Sequence, residues 1–242
     1  MYERYAGDIE AMRIPETIED AAHEILRLPT AKERAVRTLE IAAARRAGRI
    51  GRVYREDGSG APENWRDSDG DNLRYSVWGP NRGKGGSLAK RRAIIHSLVH
   101  VESVAVELAW DIIVSLGSAC DMPEEFADDF VIVAEDEARH HLLLRERLHE
   151  LGWKYGDAEV TGSLWNSAKN TKHSLPARLA IEHCNFQLRE FQYRIKNGLH
   201  LERISSIFPS MSVPAPPHTS MSGTSTSLPP STSRTTRNPS VV

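Results

Sequence analysis

The apolar positions of this 242-residue chain recur mostly with the 3.6-residue period of a helix, and the two-residue alternation typical of strands is absent. The first such pattern predicts a short helix over about residues 17–28. A second helix is predicted from Thr30, because Thr30 and Glu33 have the spacing of a capping box, and it should end near Gly48. The pattern therefore predicts an all-α fold.

Two much longer helical patterns follow and dominate the chain. The first predicts a helix over about 87–115 and the second a helix over about 121–151, with Asp121 and Glu124 at capping-box spacing. After a loop, a weaker helical pattern extends from about residue 174 to residue 195 at most. The two long helices are the elements most strongly predicted by periodicity.

Residues 54–86 interrupt the helical pattern. They are rich in Gly, Asp, Asn and Pro and show no sustained helical or strand periodicity. Their aromatic residues include Trp65, Tyr75 and Trp78. A segment of this length inside a compact domain predicts a long ordered loop wrapped on the helical body.

Composition separates the end of the chain from the rest. Overall, 40% of the residues are apolar and 26% are charged, and 31 basic against 33 acidic residues give a net charge of -2, which does not indicate a polybasic nucleic-acid binder. In residues 208–242, however, 22 of 35 positions are Ser, Thr or Pro, and the charged residues are Arg234 and Arg237. This composition predicts a disordered tail.

Two cysteines, Cys120 and Cys184, cannot form a disulfide framework and belong to no Cys/His cluster, which favours a reducing compartment. The N-terminus carries no signal-peptide pattern, and no uninterrupted apolar run approaches about 18 residues. We therefore expect a soluble cytoplasmic protein that does not bind a membrane.

The first long helix carries one acid among apolar residues. At about 100° per residue, one stripe consists of Ile95, Val99, Glu102, Val106, Ala109 and Ile113. Glu102 is the polar member of this stripe. A carboxylate in such a position must be neutralised, paired or bound to a metal, because burying an isolated charge is very costly.

The second long helix places two ligand-type residues in its own apolar stripe. The members of this stripe are Phe126, Phe130, Val133, Glu137, His140, Leu144, Leu148 and Leu151. The i, i+3 spacing brings Glu137 and His140 to the same side of the helix, close enough to share one ion. One Glu facing a Glu-x-x-His is half of the di-iron or di-manganese site of ferritin-like bundles, which makes Glu102, Glu137 and His140 the candidate metal ligands.

Other interpretations of these and neighbouring residues stay open at this stage. His140 is also compatible with a neutral core histidine hydrogen-bonded to Glu137 or Glu102. A second Glu-x-x-His, formed by Glu146 and His149, lies on a different face and is predicted to be solvated.

A second polar face of the first long helix allows two roles. It consists of His96, His100, Glu107 and Asp111. These side chains could ligate or support a metal, but a structural polar face against the long loop is favoured. For His141, packing at the edge of the core is favoured over an additional ligand role.

At these residues the chain resembles a known family. The motifs are His96–Asp111, Asp136–His140, Leu148–Gly152, Tyr155–Asp157, Leu164–Trp165 and Arg178–Ile181. Together they resemble, over about residues 17–184, the ferritin-like family catalogued as domain of unknown function 455. The resemblance implies a helical bundle in which Glu102, Glu137 and His140 match the first half of a site for two iron or manganese ions.

A more distant likeness to ferritin-like transfer-RNA hydroxylases implies, by analogy, an oxygen-using oxidoreductase. The substrate is not implied, and transfer RNA stays open as a partner.

The resemblance weakens toward the C-terminus. A complete site needs a third Glu and a second Glu-x-x-His, but Gln187 aligns with the third carboxylate and no further Glu-x-x-His follows. We therefore expect an incomplete bundle with three parts: a ferritin-like domain over 1–184, a divergent helical segment over 185–207 and the disordered tail over 208–242. The end of the chain would then come from truncation, alternative splicing or a mispredicted gene, or would be a genuine divergent tail.

Loss of half the metal site would impair catalysis, and exposed apolar faces would promote self-association. The alternative function is that of a non-catalytic helical binding or scaffold protein, with the acids and His140 in a buried polar network or a single weak metal site.

Overall fold

The computed structural model of the chain describes residues 13–55, 70–80 and 86–185, all of which belong to one compact unit. The α-helices of this described part are α1 (Ile18–Arg27), α2 (Ala31–Arg46), α3 (Leu88–Ile112), α4 (Glu124–Glu150), α5 (Ser163–Thr171) and α6 (Leu175–Arg178). Two π-helical turns, Ile113–Gly117 and Leu179–Asn185, follow α3 and α6. Extended pairing in these ranges is limited to two isolated bridges, so the all-α prediction is confirmed.

Part of the predicted chain organisation cannot be compared with the structure. The predicted tail over 208–242 lies outside the described residues, as does the predicted divergent segment over 185–207 apart from Asn185. Gln187 is also outside the described part.

The first two helices begin as the sequence predicts. The Thr17 side chain accepts a hydrogen bond from the Asp20 amide at 2.9 Å and caps α1. In α2 the capping box is complete, because Thr30 Oγ1 accepts from the Glu33 amide and Glu33 Oε2 accepts from the Thr30 amide. Gly48, at φ +68°, adopts the left-handed conformation that follows a helix end.

The predicted capping role of Asp121 is wrong. Asp121 has φ +51°, and its amide donates to the carbonyl oxygen of Ser118, so this residue closes the turn that follows α3. The N-cap of α4 is Pro123, which makes no side-chain capping hydrogen bond. The chain therefore turns sharply before α4 begins, and the carboxylate of Asp121 is not at the cap.

The core lies where α2, α3 and α4 meet. The long helices α3 and α4 pack along each other, α2 packs mainly on α4, and α1 packs on α2 and α3. Three small residues of α4, Ala127, Ala134 and Ala138, are completely buried in this core. Trp110 of α3 is also completely buried and donates its indole N–H to Thr38 of α2 at 2.8 Å.

Segment 70–80 is fastened to the helical body, as predicted for the described part of the long loop. The Gly70 amide donates to the carbonyl oxygen of Pro29, and Asp71 accepts from the amide of Ala31 at the first turn of α2. Farther along, Tyr75 and Val160 form a parallel bridge.

A short helix that the sequence pattern did not predict, α5, packs against α3. Its residues Leu164, Trp165 and Ala168 form a separate cluster with Val104 and Leu108. Among the described helices, none is both long enough and apolar enough to span a bilayer.

Candidate metal centre

Three potential ligands come together between α3 and α4. Glu102 lies in the second half of α3, and Glu137 and His140 lie one turn apart on α4, directly opposite. Nδ1 of His140 is 3.1 Å from Glu137 Oε2 and 3.7 Å from Glu102 Oε2. One ligand atom from each residue falls within a group whose atoms are all within 4.8 Å of one another. The residues selected by helical periodicity are therefore neighbours in space.

The site is at the edge of the core rather than at its centre. The side chain of Glu102 is 5% exposed, but that of Glu137 is 17% exposed and that of His140 is 36% exposed. The expectation that Glu137 and His140 lie in the middle of the core-facing stripe of α4 is wrong. The buried face of α4 is instead centred on its alanines, whose small side chains permit close approach of α2.

The electrostatics of the site favour binding of protons when no other cation is present. Burial, together with the nearby Glu137 carboxylate and against the opposing effect of His140, raises the pKa of Glu102 to about 8. Hydrogen bonds to Glu102 and Glu137 raise the pKa of His140 to about 10. The two acids therefore hold a proton on the imidazole that an isolated histidine would lose near neutrality.

Glu102 differs from the other buried acids of the two long helices. Glu107 pairs with Arg34 at 2.9 Å, and Asp111 pairs with Arg178 at 2.6 Å. Among the described residues, the charged neighbours identified for Glu102 are Glu137 and His140. It is thus a buried carboxylate facing a second carboxylate, with a titratable imidazole as its cationic partner.

Glu135 is a buried acid of α4 that sequence analysis missed. It accepts hydrogen bonds from Arg46 of α2 and from Arg139 one turn along α4. The i, i+4 spacing of Glu135 and Arg139 was visible in the sequence, but the partnership with Arg46 depends on the packing of α2. Arg139, although it stands between Glu137 and His140 in the chain, is therefore engaged with Glu135 on another side of the helix.

The second polar face of α3 is structural, as favoured, and its ring contact with Tyr75 of the long loop is joined by hydrogen bonds to the segment after α4. His100 donates from Nε2 to the carbonyl oxygen of Thr161 and accepts the Tyr155 hydroxyl proton at Nδ1, over 2.9 and 2.7 Å. His96 Nε2 accepts from the amides of Gly156 and Ala158. Among the described residues, the hydrogen-bond partners of these two histidines therefore lie in the segment after α4.

The same face holds the following helices in place through its two acids. Glu107 accepts the indole N–H of Trp165 at 2.9 Å, and the Arg178 guanidinium that pairs with Asp111 also donates to the carbonyl oxygen of Ala168. Glu107 and Asp111 therefore anchor α5 and α6, whereas His96 and His100 hold the segment between α4 and α5. All four residues lie outside the group of candidate ligands.

His141 is a packing residue, as favoured, although it is completely buried rather than at the core edge. Its Nδ1 donates to the carbonyl oxygen of Val99 at 3.1 Å. Burial lowers the pKa of His141 to about 3, so it is neutral at physiological pH. The other Glu-x-x-His pair, Glu146 and His149, is exposed, as predicted.

The donor set of the site suits a divalent metal ion. Glu102 and Glu137 offer carboxylate oxygens and His140 offers an imidazole nitrogen, a combination that iron and manganese accept. A divalent cation would also neutralise the two acids that now share a proton with His140. The residues present therefore fit the metal suggested by the Glu and Glu-x-x-His pattern, as one half of a two-ion site.

Comparison with known proteins identifies the family of this chain but no reaction. The chain matches, over residues 27–197, the family described as "Protein of unknown function (DUF455)", and it belongs to that family. The match extends past Cys184, where the resemblance was expected to end. A curated relative, an uncharacterised protein of Haemophilus influenzae, is 34% identical over 95 residues, which are 37% of this chain and 32% of the relative.

The chain thus spans about a third of the length of that relative. No solved structure shows significant similarity to this chain.

Proposed function

We propose that this protein is a ferritin-like metal-carboxylate protein in which Glu102, Glu137 and His140 bind iron or manganese. The observation that carries the proposal is the convergence of their three ligand atoms within 4.8 Å. Support comes from the contrast with other buried acids, because Glu107 and Asp111 each pair with an arginine. The chain belongs to a family without an assigned reaction, and this membership is compatible with the proposal but does not by itself indicate metal binding.

Each ligand has a distinct role in this proposal. Glu102 contributes a carboxylate from the buried side, where the surrounding helices fix its position. Glu137 and His140 approach from α4, one turn apart, so that the rigid helix sets their separation. The exposure of His140 leaves the site open on its outer side, from which further ligands or a substrate can approach.

By analogy with ferritin-like hydroxylases, the reaction class we propose is oxidation of an organic substrate with dioxygen. A bound pair of iron or manganese ions would supply the electron transfer for this chemistry. The residues of this chain would hold the ions and exclude water on the buried side of Glu102. Because the three ligands amount to half of a complete set, the isolated half-site should be impaired in catalysis.

The test is the metal content of full-length protein purified under reducing conditions and supplied with iron(II) or manganese(II). We expect bound metal in the wild type and its loss in Glu137→Ala. The matched control is Glu146→Ala, which removes the glutamate of the exposed Glu-x-x-His and should leave metal binding unchanged. Equal metal content in Glu137→Ala and wild type, with both proteins folded, would refute the proposal.

The competing proposal is a non-catalytic helical binding or scaffold protein. It is favoured by the hydrogen bond between His140 and Glu137, which satisfies the imidazole without a metal. In that case the protein should remain metal-free after incubation with either ion, and Glu137→Ala should alter stability alone.

A further inference from the structure

We propose that His141 is a positioning residue of the candidate metal centre, which holds α3 and α4 at the relative position that the three candidate ligands need to share an ion. The inference rests on the proposed function, because it concerns the geometry of that same site. It gives His141 a role beyond packing, through the hydrogen bond that its imidazole makes between the two helices that carry the ligands.

This hydrogen bond crosses between the helices beside the ligands. Nδ1–H of His141 donates to the carbonyl oxygen of Val99 at 3.1 Å. Along α4, His141 directly follows His140. Along α3, Val99 precedes Glu102 by three residues, or about 4.5 Å of helix. The bond therefore joins α3 to α4 within about one helical turn of each candidate ligand.

His141 is itself held from a second side. Its side chain is completely buried. Its ring meets the ring of Tyr155 edge-on, with the centroids 5.9 Å apart, and the Tyr155 hydroxyl donates to Nδ1 of His100 on α3 at 2.7 Å. A side chain packed in this way keeps one rotamer, so its N–H points in a constant direction. The imidazole is thus a rigid link between the two helices.

Apolar packing alone fixes the geometry less precisely than a metal ion requires. Packed helices tolerate variation in distance and crossing angle, whereas metal–ligand distances are held within about 0.2 Å. A hydrogen bond is directional, so it resists sliding of α4 along α3. Such sliding would change the distance between His140 Nδ1 and Glu102 Oε2, which lie 3.7 Å apart.

A purely structural role at this position would favour an apolar side chain over an imidazole. Burial of a polar ring is less favourable than burial of an apolar group of similar shape, above all when one nitrogen, here Nε2, has no hydrogen-bond partner among the described residues. The Val99 carbonyl oxygen does not depend on His141, because within α3 it also accepts from the amide of Ser103. The contribution of the imidazole is therefore the position that it enforces.

Two substitutions separate the hydrogen bond from the packing. His141→Phe keeps a buried ring and removes the N–H, whereas His141→Asn removes the ring and keeps an N–H donor bonded to Cγ, as Nδ1 is. Isothermal titration calorimetry of the full-length protein at constant pH measures the affinity for manganese(II). We expect His141→Phe to bind manganese about tenfold more weakly than the wild type, and His141→Asn to retain most of the affinity. Chemical denaturation should give the opposite order of stability, because His141→Asn leaves a void in the core.

Arg92→Met is the matched control. Arg92 also joins α3 to the end of α4, since its Nε donates to the carbonyl oxygen of Leu151 at 2.6 Å. It lies ten residues, or about 15 Å, from Glu102 along α3. Its substitution should leave the manganese affinity unchanged. The electron paramagnetic resonance spectrum of bound manganese(II) depends on ligand geometry, and it should change in His141→Phe but not in Arg92→Met.

Manganese bound equally by the wild type and His141→Phe would overturn the positioning inference and leave the proposed function intact. Loss of affinity in both His141→Phe and His141→Asn would also overturn it, since binding would then not follow the N–H donor, and so would an equal loss in Arg92→Met. Should His141→Phe fail to fold, His141→Leu takes its place with the same expectation. Absence of bound manganese in the wild type would defeat both proposals together.

Discussion

Raising the pH from 6 to 8 should tighten manganese binding steeply, because the ligands must release protons before they can bind the ion. Glu102 has a pKa of about 8 in the metal-free protein. A ligand of that pKa weakens the apparent affinity about 100-fold at pH 6 but only about twofold at pH 8, so Glu102 alone should give a gain of about 50-fold. His140, with its pKa raised to about 10, should add to this gain over the whole interval.

Isothermal titration calorimetry of the full-length protein with manganese(II) at pH 6, 7 and 8 measures the change. Repeating the titration at each pH in buffers of different ionisation enthalpy counts the protons released with the metal. Glu102→Gln provides the control, since its amide has no proton to lose, and its affinity should depend less steeply on pH although it is weaker throughout.

An affinity that changes less than about fivefold between pH 6 and 8 would refute the reasoning, because it would mean that Glu102 is already ionised in the metal-free site. The same conclusion would follow if Glu102→Gln retained the full pH dependence of the wild type.

Three further predictions concern the fold that supports the site. Asp111→Asn and Arg178→Met should each lower the free energy of unfolding, measured by chemical denaturation, by about 3–5 kcal/mol, because each leaves a buried partner unpaired. The double variant should lose less stability than the sum of the two single variants, and strictly additive losses would contradict the pairing. Thr30→Ala should cost about 1 kcal/mol by removing the capping box of α2, whereas an unchanged unfolding midpoint would show that the cap contributes nothing. Acidification from pH 6.5 to 5 should lower the free energy of unfolding by roughly 2 kcal/mol for each of His96 and His141. Burial lowers the pKa of His96 to about 4 and that of His141 to about 3, so the unfolded chain takes up the protons more readily than the folded one. Chemical denaturation at the two pH values measures this loss of stability. In His141→Leu the loss on acidification should be about half that of the wild type, and a loss equal to that of the wild type would contradict the prediction.

Periodicity and capping were sufficient to predict four of the helices. The capping box of Thr30 and Glu33 is formed by residues three apart, so it can be recognised without tertiary information. Glu102 was identified because a single acid interrupted an apolar stripe, and the structure places it beside both other candidate ligands. In each case the deciding interaction is local, or it depends on one helix facing its neighbour.

What the sequence left undetermined depends on tertiary packing. Helix α5 has nine residues, too few to be stable alone, and it owes its stability to packing of Leu164 and Trp165 on α3 and to the Trp165 hydrogen bond with Glu107. The orientation of α4 was mispredicted because its large apolar residues were weighted above its alanines. Close packing against α2 favours the small side chains, which rotates Glu137 and His140 toward the edge of the core.

The ligands of the candidate site are separated by at most 38 residues of chain, from Glu102 to His140, and a single connection between α3 and α4 joins them. The entropy lost on closing such a loop is smaller than that required to bring Arg46 of α2 onto Glu135 of α4, 89 residues away, although only by about 1 kcal/mol. The half-site therefore needs only the α3–α4 hairpin and can assemble before the N-terminal helices dock. On the proposed function, a metal ion present during synthesis would then stabilise the hairpin as a folding ligand.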